Sequence, residues 1–253
     1  MQQKPMQDHH QSSYLLADRT PSMPRRVAAR CLLFLSLALL LSTAWGQGQF
    51  AAAPQTGQTE LLVSNLGGDA ALRFDPRTGQ FVDIFASGNG LAQTAGLTFG
   101  PDGNLYLISV FTKKVVRFDG RTGAFKDVFV ASGSGGLRGP FGLAFGPDNN
   151  LYITSLGTGN VLRFDGWTGA FLDVFIPRLR GGLKTPLGLA FGPDHNLYVS
   201  DAVHSLVLRY GGRSGRFLGV AAFGDKLEVP TFLTFRPSRN EHHTAEDEEP
   251  DNR

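Results

Sequence analysis

The string Phe-Gly-Pro-Asp-x-Asn-Leu-Tyr occurs three times, at residues 99–106, 145–152 and 191–198, and each copy starts 46 residues after the one before. A long fixed period marks a repeat architecture, in which one supersecondary unit packs against copies of itself. Other landmarks recur with it, 44 residues apart between their first two copies and 46 thereafter. Leu72-Arg73-Phe74-Asp75 returns as Val116-Arg117-Phe118-Asp119, as Leu162-Arg163-Phe164-Asp165, and as Leu208-Arg209-Tyr210-Gly211. Each is followed by a turn and a further apolar run: 81–85, 125–129, 171–175 and the weaker 217–220.

Every full unit thus carries four short runs rich in Phe, Val, Leu and Tyr, bounded by Gly, Pro, Asp and Asn. Breakers so closely spaced leave no room for a helix of ordinary length, and the runs read as strands. In the second unit these are strand a (96–99), b (105–110), c (115–119) and d (125–130). Four strands in roughly 40–50 residues is the size of one propeller blade. The first unit begins at 59–64 with strand b and lacks strand a, which reappears at the far end as 231–235. The chain therefore predicts an all-β fold, a β-propeller with four blades of four antiparallel strands, its ring closed by pairing the C-terminal strand with the N-terminal blade. Closure of this kind removes an exposed sheet edge. The alternatives are a fragment of a larger ring or an open arc that dimerises.

Residues 59–240 form the expected propeller, and the flanks read differently. Within 1–46, the stretch 31–45 has no charge and follows Arg25, Arg26 and Arg30, the pattern of a secretory signal with cleavage after Gly46. Its 15 apolar residues are short of the ~20 that span a bilayer, so no stable membrane span is expected after cleavage. Secretion or a periplasmic location follows. Cys31, the single cysteine, lies in the removable part, leaving a mature chain that can form no disulfide. Residues 47–58 read as a linker and the acidic stretch 241–253 as a disordered tail.

The string Gly188-Leu189-Ala190-Phe191-Gly192-Pro193-Asp194-His195-Asn196-Leu197-Tyr198-Val199-Ser200-Asp201, followed by Val207-Leu208-Arg209-Tyr210, resembles the NHL repeat. It is also similar to the repeats of the streptogramin lyase (virginiamycin B lyase) group of six- or seven-bladed propellers. The likeness covers about 59–240 and is a strong signal of fold. It says little about function, because related rings serve as enzymes, receptors and adaptors.

Candidate chemistry is sparse. Asp102, Asp148 and Asp194, each two residues before an Asn, read as caps of their own turns. Arg73, Arg117 and Arg163 each precede an Asp by ten residues, and a c–d hairpin sets each pair face to face across the strands. His195 reads as a solvated turn residue. His204, between strands b and c, is the candidate acid–base residue, with Asp201 or Glu228 as its carboxylate. The resemblance implies for that reading a lyase or lactone-opening activity with Mg2+; no metal-ligand set is visible in the sequence, and the binding reading takes no cofactor.

The b–c loops and d–a crossovers share one rim. They carry Lys113, Lys114, Arg138, Arg178, Arg180, Lys184 and Lys226 against four acidic residues, and the crossovers vary most from unit to unit. From 47 to 240 the chain has 18 Lys plus Arg and 14 Asp plus Glu. Varied loops on a repeating scaffold are the usual place for recognition. The first reading is a non-catalytic binding module for a protein or an anionic polysaccharide or cell-envelope polymer. Nucleic acid is not expected, because no dense Lys/Arg run with interleaved aromatics is present. The expected state is a monomer, although the residues do not fix it.

Overall fold

The computed structural model describes residues 59–236. The predicted leader (1–46), linker (47–58) and tail (241–253) lie outside them. Within the described residues the chain forms one sheet of three strands, β1 (Leu61–Asn65), β2 (Ala70–Phe74) and β3 (Phe81–Ser87). Three sheets of four follow. The second holds β4 (Thr94–Phe99), β5 (Leu105–Ser109), β6 (Lys114–Phe118) and β7 (Phe125–Val130). The third holds β8 (Pro140–Phe145), β9 (Leu151–Ser155), β10 (Asn160–Phe164) and β11 (Phe171–Ile176). The fourth holds β12 (Pro186–Phe191), β13 (Leu197–Asp201), β14 (Leu206–Tyr210) and β15 (Phe217–Ala222). Each sheet is an antiparallel meander in chain order, and helix among the described residues is confined to two short 3-10 turns, Ser134–Gly136 and Arg180–Gly182.

Burial grades each blade from inside to outside. Every residue of β5 and β9 is buried, as expected of a strand covered on both faces, so these strands read as continuous apolar runs without alternation. The outer strands β7 and β11 bury only their last two residues and leave their first half to solvent. Phe129 and Phe175, near the ends of those strands, meet Tyr106 and Tyr152 edge-on at 4.8 and 4.9 Å. Tyr106 and Tyr152 each also receive a ring from the next blade, Phe145 at 4.9 Å and Phe191 at 5.0 Å. In the second and third blades one tyrosine thus fills both its own sheet and the seam.

At the inner strands the backbones approach closely. A Cβ on Gly142 would sit 2.4 Å from the carbonyl oxygen of Leu187 on the following blade, closer than any real contact. The same carbonyl accepts a hydrogen bond from Thr154 Oγ1 at 2.7 Å. The seam is repeated after the fourth blade by the segment 231–235. Ser200 Oγ donates to Thr231 O at 2.8 Å, and Phe235 meets Tyr198 at 4.8 Å. Phe232 stacks on Phe141 at 5.5 Å. The residues expected to supply the last inner strand therefore occupy that strand's place beside blade four.

The segment carries no strand ladder, and β1 pairs with β2. Leu61 and Val63 are 46% and 39% exposed, whereas their counterparts Leu105, Leu107, Leu151 and Ile153 are at 0%. Pairing would require the two edges to meet at about 4.8 Å. Among the described residues, the contacts that hold 231–235 come from the fourth blade and from Phe141.

The Gly142 and Gly188 seams give a mutational test. Gly188→Ala would place a methyl 2.0 Å from Thr231 O and 2.8 Å from Phe232 Cα. Both it and Gly142→Ala are expected to lose about 1–3 kcal/mol in thermal denaturation. Gly188→Ala should in addition make 231–236 sensitive to protease. An unchanged melting temperature for Gly142→Ala would refute the backbone contact.

Candidate functional site

Each crossover is fastened to the b–c loop of the blade it enters by one side chain at the end of strand b. In the second blade, Ser109 Oγ accepts from Ala92 N at 2.8 Å and donates to Ala92 O at 3.1 Å. In the third, Ser155 does the same with Arg138 N and O, both at 3.0 Å. A threonine three residues on, Thr112 or Thr158, donates its hydroxyl to that serine at 2.6 Å. The fourth blade replaces serine and threonine by Asp201 and His204. Asp201 is fully buried, and its oxygens accept from the backbone N–H of Lys184 at 2.8 Å, Thr185 at 3.3 Å and Val203 at 3.2 Å. His204 Nδ1 lies 3.1 Å from Asp201 Oδ2, and its side chain is 43% exposed. A carboxylate on Nδ1 fixes the ring and leaves Nε2 as the free nitrogen.

The predicted basic residues divide into groups. The third blade's b–c loop gathers three of them. A Cβ on Gly157 would sit 3.0 Å from Arg138 Cβ, and one on Gly159 would sit 3.2 Å from Arg178 Cγ and 2.8 Å from Lys184 O. Arg138, Arg178, Arg180 and Lys184 are all exposed. The Arg180 carbonyl accepts the Tyr210 hydroxyl at 2.8 Å, tying that crossover to the fourth blade. Lys114 is used locally, donating from Nζ to Asn89 O at 2.9 Å, beside exposed Lys113. Lys226 and Glu228 are exposed on the stretch after the fourth blade.

Asp201's oxygens are committed to N–H groups, and no cluster of three His, Cys, Asp or Glu suited to a metal exists among the described residues.

The face of a–b and c–d turns is built from the predicted caps. Asp102 accepts from Asn104 N at 3.1 Å and from the Tyr106 hydroxyl at 3.0 Å, and Asp148 and Asp194 repeat the arrangement with their own Asn and Tyr. The tyrosine bond is not legible from spacing alone. Burial pushes the Tyr106 phenol up to about 12, so it serves as a neutral donor. His195 takes φ +58 in its turn, matching Asn149 at +61 and Gly103 at +73.

The cross-strand pairs form as expected: Arg73 with Asp83, Arg117 with Asp127 and Arg163 with Asp173, each bidentate. Each guanidinium also lies over a ring, Phe85 at 5.4 Å, Phe129 at 4.9 Å and Phe175 at 5.3 Å. In the fourth blade Arg209 faces Gly219, and Arg209 makes no ion pair among the described residues. A cavity of about 730 Å3 opens on this face between the third and fourth blades, lined in part by Arg163, His195, Gly211, Arg213 and Ser214. Sequence reasoning placed recognition on the other rim and missed this cavity.

The c–d turn carboxylates contribute to stability against acid. Asp75, Asp119 and Asp165 each accept the backbone N–H groups two and three residues on, and these bonds, with the threonine hydroxyl in the second and third, hold them below the ordinary carboxylate range. A depressed folded value stabilises the fold above the unfolded value of 3.8 and is lost as pH falls through the folded one. The melting temperature is therefore expected to fall as pH drops below about 4, and less steeply in Asp119→Asn. Parallel acid limbs for the two proteins would remove these turns from the account.

No protein-family model matches the chain, and no curated protein matches it. Solved structures match in fold. Virginiamycin B lyase from Staphylococcus aureus superposes with a TM-score of 0.53 at 15% identity, over 70% of this chain and 56% of that one. A chain of a nidogen–laminin complex gives 0.53 at 18%, over 67% and 60%. A gluconolactonase from Xanthomonas campestris gives 0.54 at 22%, over 70% and 62%. The fold is that of a β-propeller. The chain spans less than two thirds of the length of each of these neighbours.

Proposed function

We propose that this chain is an exported propeller that binds an anionic partner, a protein patch or an acidic polymer, through its basic rim. The observation that carries the reading is the gathering of Arg138, Arg178 and Lys184 around the third blade's b–c loop, with Arg180 on the same crossover as the last two. The crossovers are pinned by Ser155 and Asp201, so the cations are displayed on fixed backbone, and less ordering entropy is lost on binding. Arginine offers a planar fork for carboxylate or sulfate groups. Among the described residues no helix is long and apolar enough to cross a membrane. One fold neighbour comes from a complex of two proteins, which supports a protein as the partner.

The test is simultaneous neutralisation of Arg138, Arg178, Arg180 and Lys184 to Gln. Retention on an immobilised acidic polysaccharide is expected to disappear, and wild-type retention should weaken with salt over the range in which the Debye length shrinks below about 10 Å. Thermal stability should move by no more than about 0.5 kcal/mol, since all four side chains are exposed. Unaltered retention would refute the reading.

A second reading is favoured by one contact, the 3.1 Å approach of His204 Nδ1 to buried Asp201. A ring fixed by a carboxylate on a partly exposed side chain is the arrangement of a general base. Two of the fold neighbours are a lyase and a lactonase. On this reading, His204→Gln abolishes turnover of a lactone substrate while folding is retained. Turnover unaffected by that substitution would eliminate His204 as the base.

A further inference from the structure

The fourth blade lacks a carboxylate that its sisters place inside the c–d turn. In the first three blades the Asp at the start of that turn receives two backbone N–H groups. Asp75 takes Arg77 N at 2.7 Å and Thr78 N at 3.0 Å; Asp119 takes Arg121 N at 3.0 Å and Thr122 N at 2.9 Å; Asp165 takes Trp167 N at 3.1 Å and Thr168 N at 2.8 Å. In the fourth blade the corresponding residue is Gly211. The turn keeps its backbone form: Gly215 N still donates to Gly211 O at 2.8 Å, as Gly123 does to Asp119 O at 2.9 Å. Ser214 N falls back on Gly211 O at 3.1 Å, and the N–H of Arg213 has no hydrogen-bond partner among the described residues. One of the two donors that the sister turns aim at a carboxylate, the Arg213 N–H, is therefore left without a protein partner, while the other is held by the turn's own carbonyl.

This turn forms part of the wall of the 730 Å3 cavity, together with the Arg213 side chain, His195 and Asn196. The two carboxylates in the same wall are already engaged. Asp194 accepts from Asn196 Nδ2 at 2.8 Å and from the Tyr198 hydroxyl at 3.0 Å. Asp148 accepts from Asn150 Nδ2 at 2.8 Å and from the Tyr152 hydroxyl at 3.0 Å, with Arg163 at 3.7 Å. Successive backbone N–H groups in a turn form an anion-binding concavity, and an adjacent guanidinium strengthens a carboxylate's bonds.

We propose that the cavity between the third and fourth blades binds a small organic acid. Its carboxylate takes the place that an Asp side chain fills in the sister turns, held by the N–H of Arg213 and by the Arg213 guanidinium, beside the Ser214 N–H that bonds Gly211 O. The site lies on the face opposite the basic rim and stands or falls independently of it.

The test follows amide NMR signals of the full-length chain during titration with sodium acetate, against sodium chloride at the same ionic strength. Acetate should shift the Arg213 and Ser214 signals saturably, and chloride should not. Gly211→Asp supplies the carboxylate from within. It should fold, because Gly211 lies outside the left-handed region and the nearest atom to a new Cβ is the short Ser214 hydroxyl at 2.8 Å. Its acetate affinity should fall at least tenfold. Arg213→Gln should weaken binding several-fold and keep the shift pattern, which separates the side chain's part from that of the turn. Absence of a saturable shift, an equal response to chloride, or undiminished binding in Gly211→Asp would each overturn the proposal.

Discussion

The structure depends on how closely one blade's inner backbone comes to the next. At Gly142 and Gly188 the approach excludes even a methyl group, and a hydroxyl from strand b, Thr154 or Ser200, bonds the carbonyl that arrives. Close approach aligns Tyr106 and Tyr152 with the aromatic rings of two blades at once. Those rings bury the seam, and the buried seam orients the loops above and the turns below. Apolar area supplies most of the free energy, while the glycine–hydroxyl contact fixes where that area can meet.

Much of this was legible in the residues. The 46-residue interval placed every strand to within a residue or two, and Asp-x-Asn and Arg-x9-Asp forecast the caps and the cross-strand pairs, because both devices act over short sequence distances. The segment expected as the final inner strand, 231–235, lies beside the fourth blade without a ladder of its own. Its ladder to β1 is a long-range matter, governed by how the blades lean on one another, and no local pattern encodes that lean.

The candidate site was only half visible. Arg138, Arg178 and Lys184 stand out for their charge and their place on varied loops, but their gathering about Gly157 and Gly159 depends on crossover paths that composition does not reveal. Asp201 reads from the sequence as an acid on the rim and is instead a buried fastener, the counterpart of Ser109 and Ser155. Aligning the units position by position exposes that role, because a carboxylate where its sisters carry a hydroxyl keeps the same backbone partners and adds the imidazole. The cavity on the opposite face leaves no positive signal in the string, since it arises from a side chain that is missing.

The clasp between each crossover and the loop of the blade it enters is strictly local: one side chain, one linker, one loop. An alteration in a linker is felt by the two blades it joins. A surface fastened in this way can be rewritten one sector at a time, which lets duplicated units diverge in what they present while the frame beneath them stays common to all.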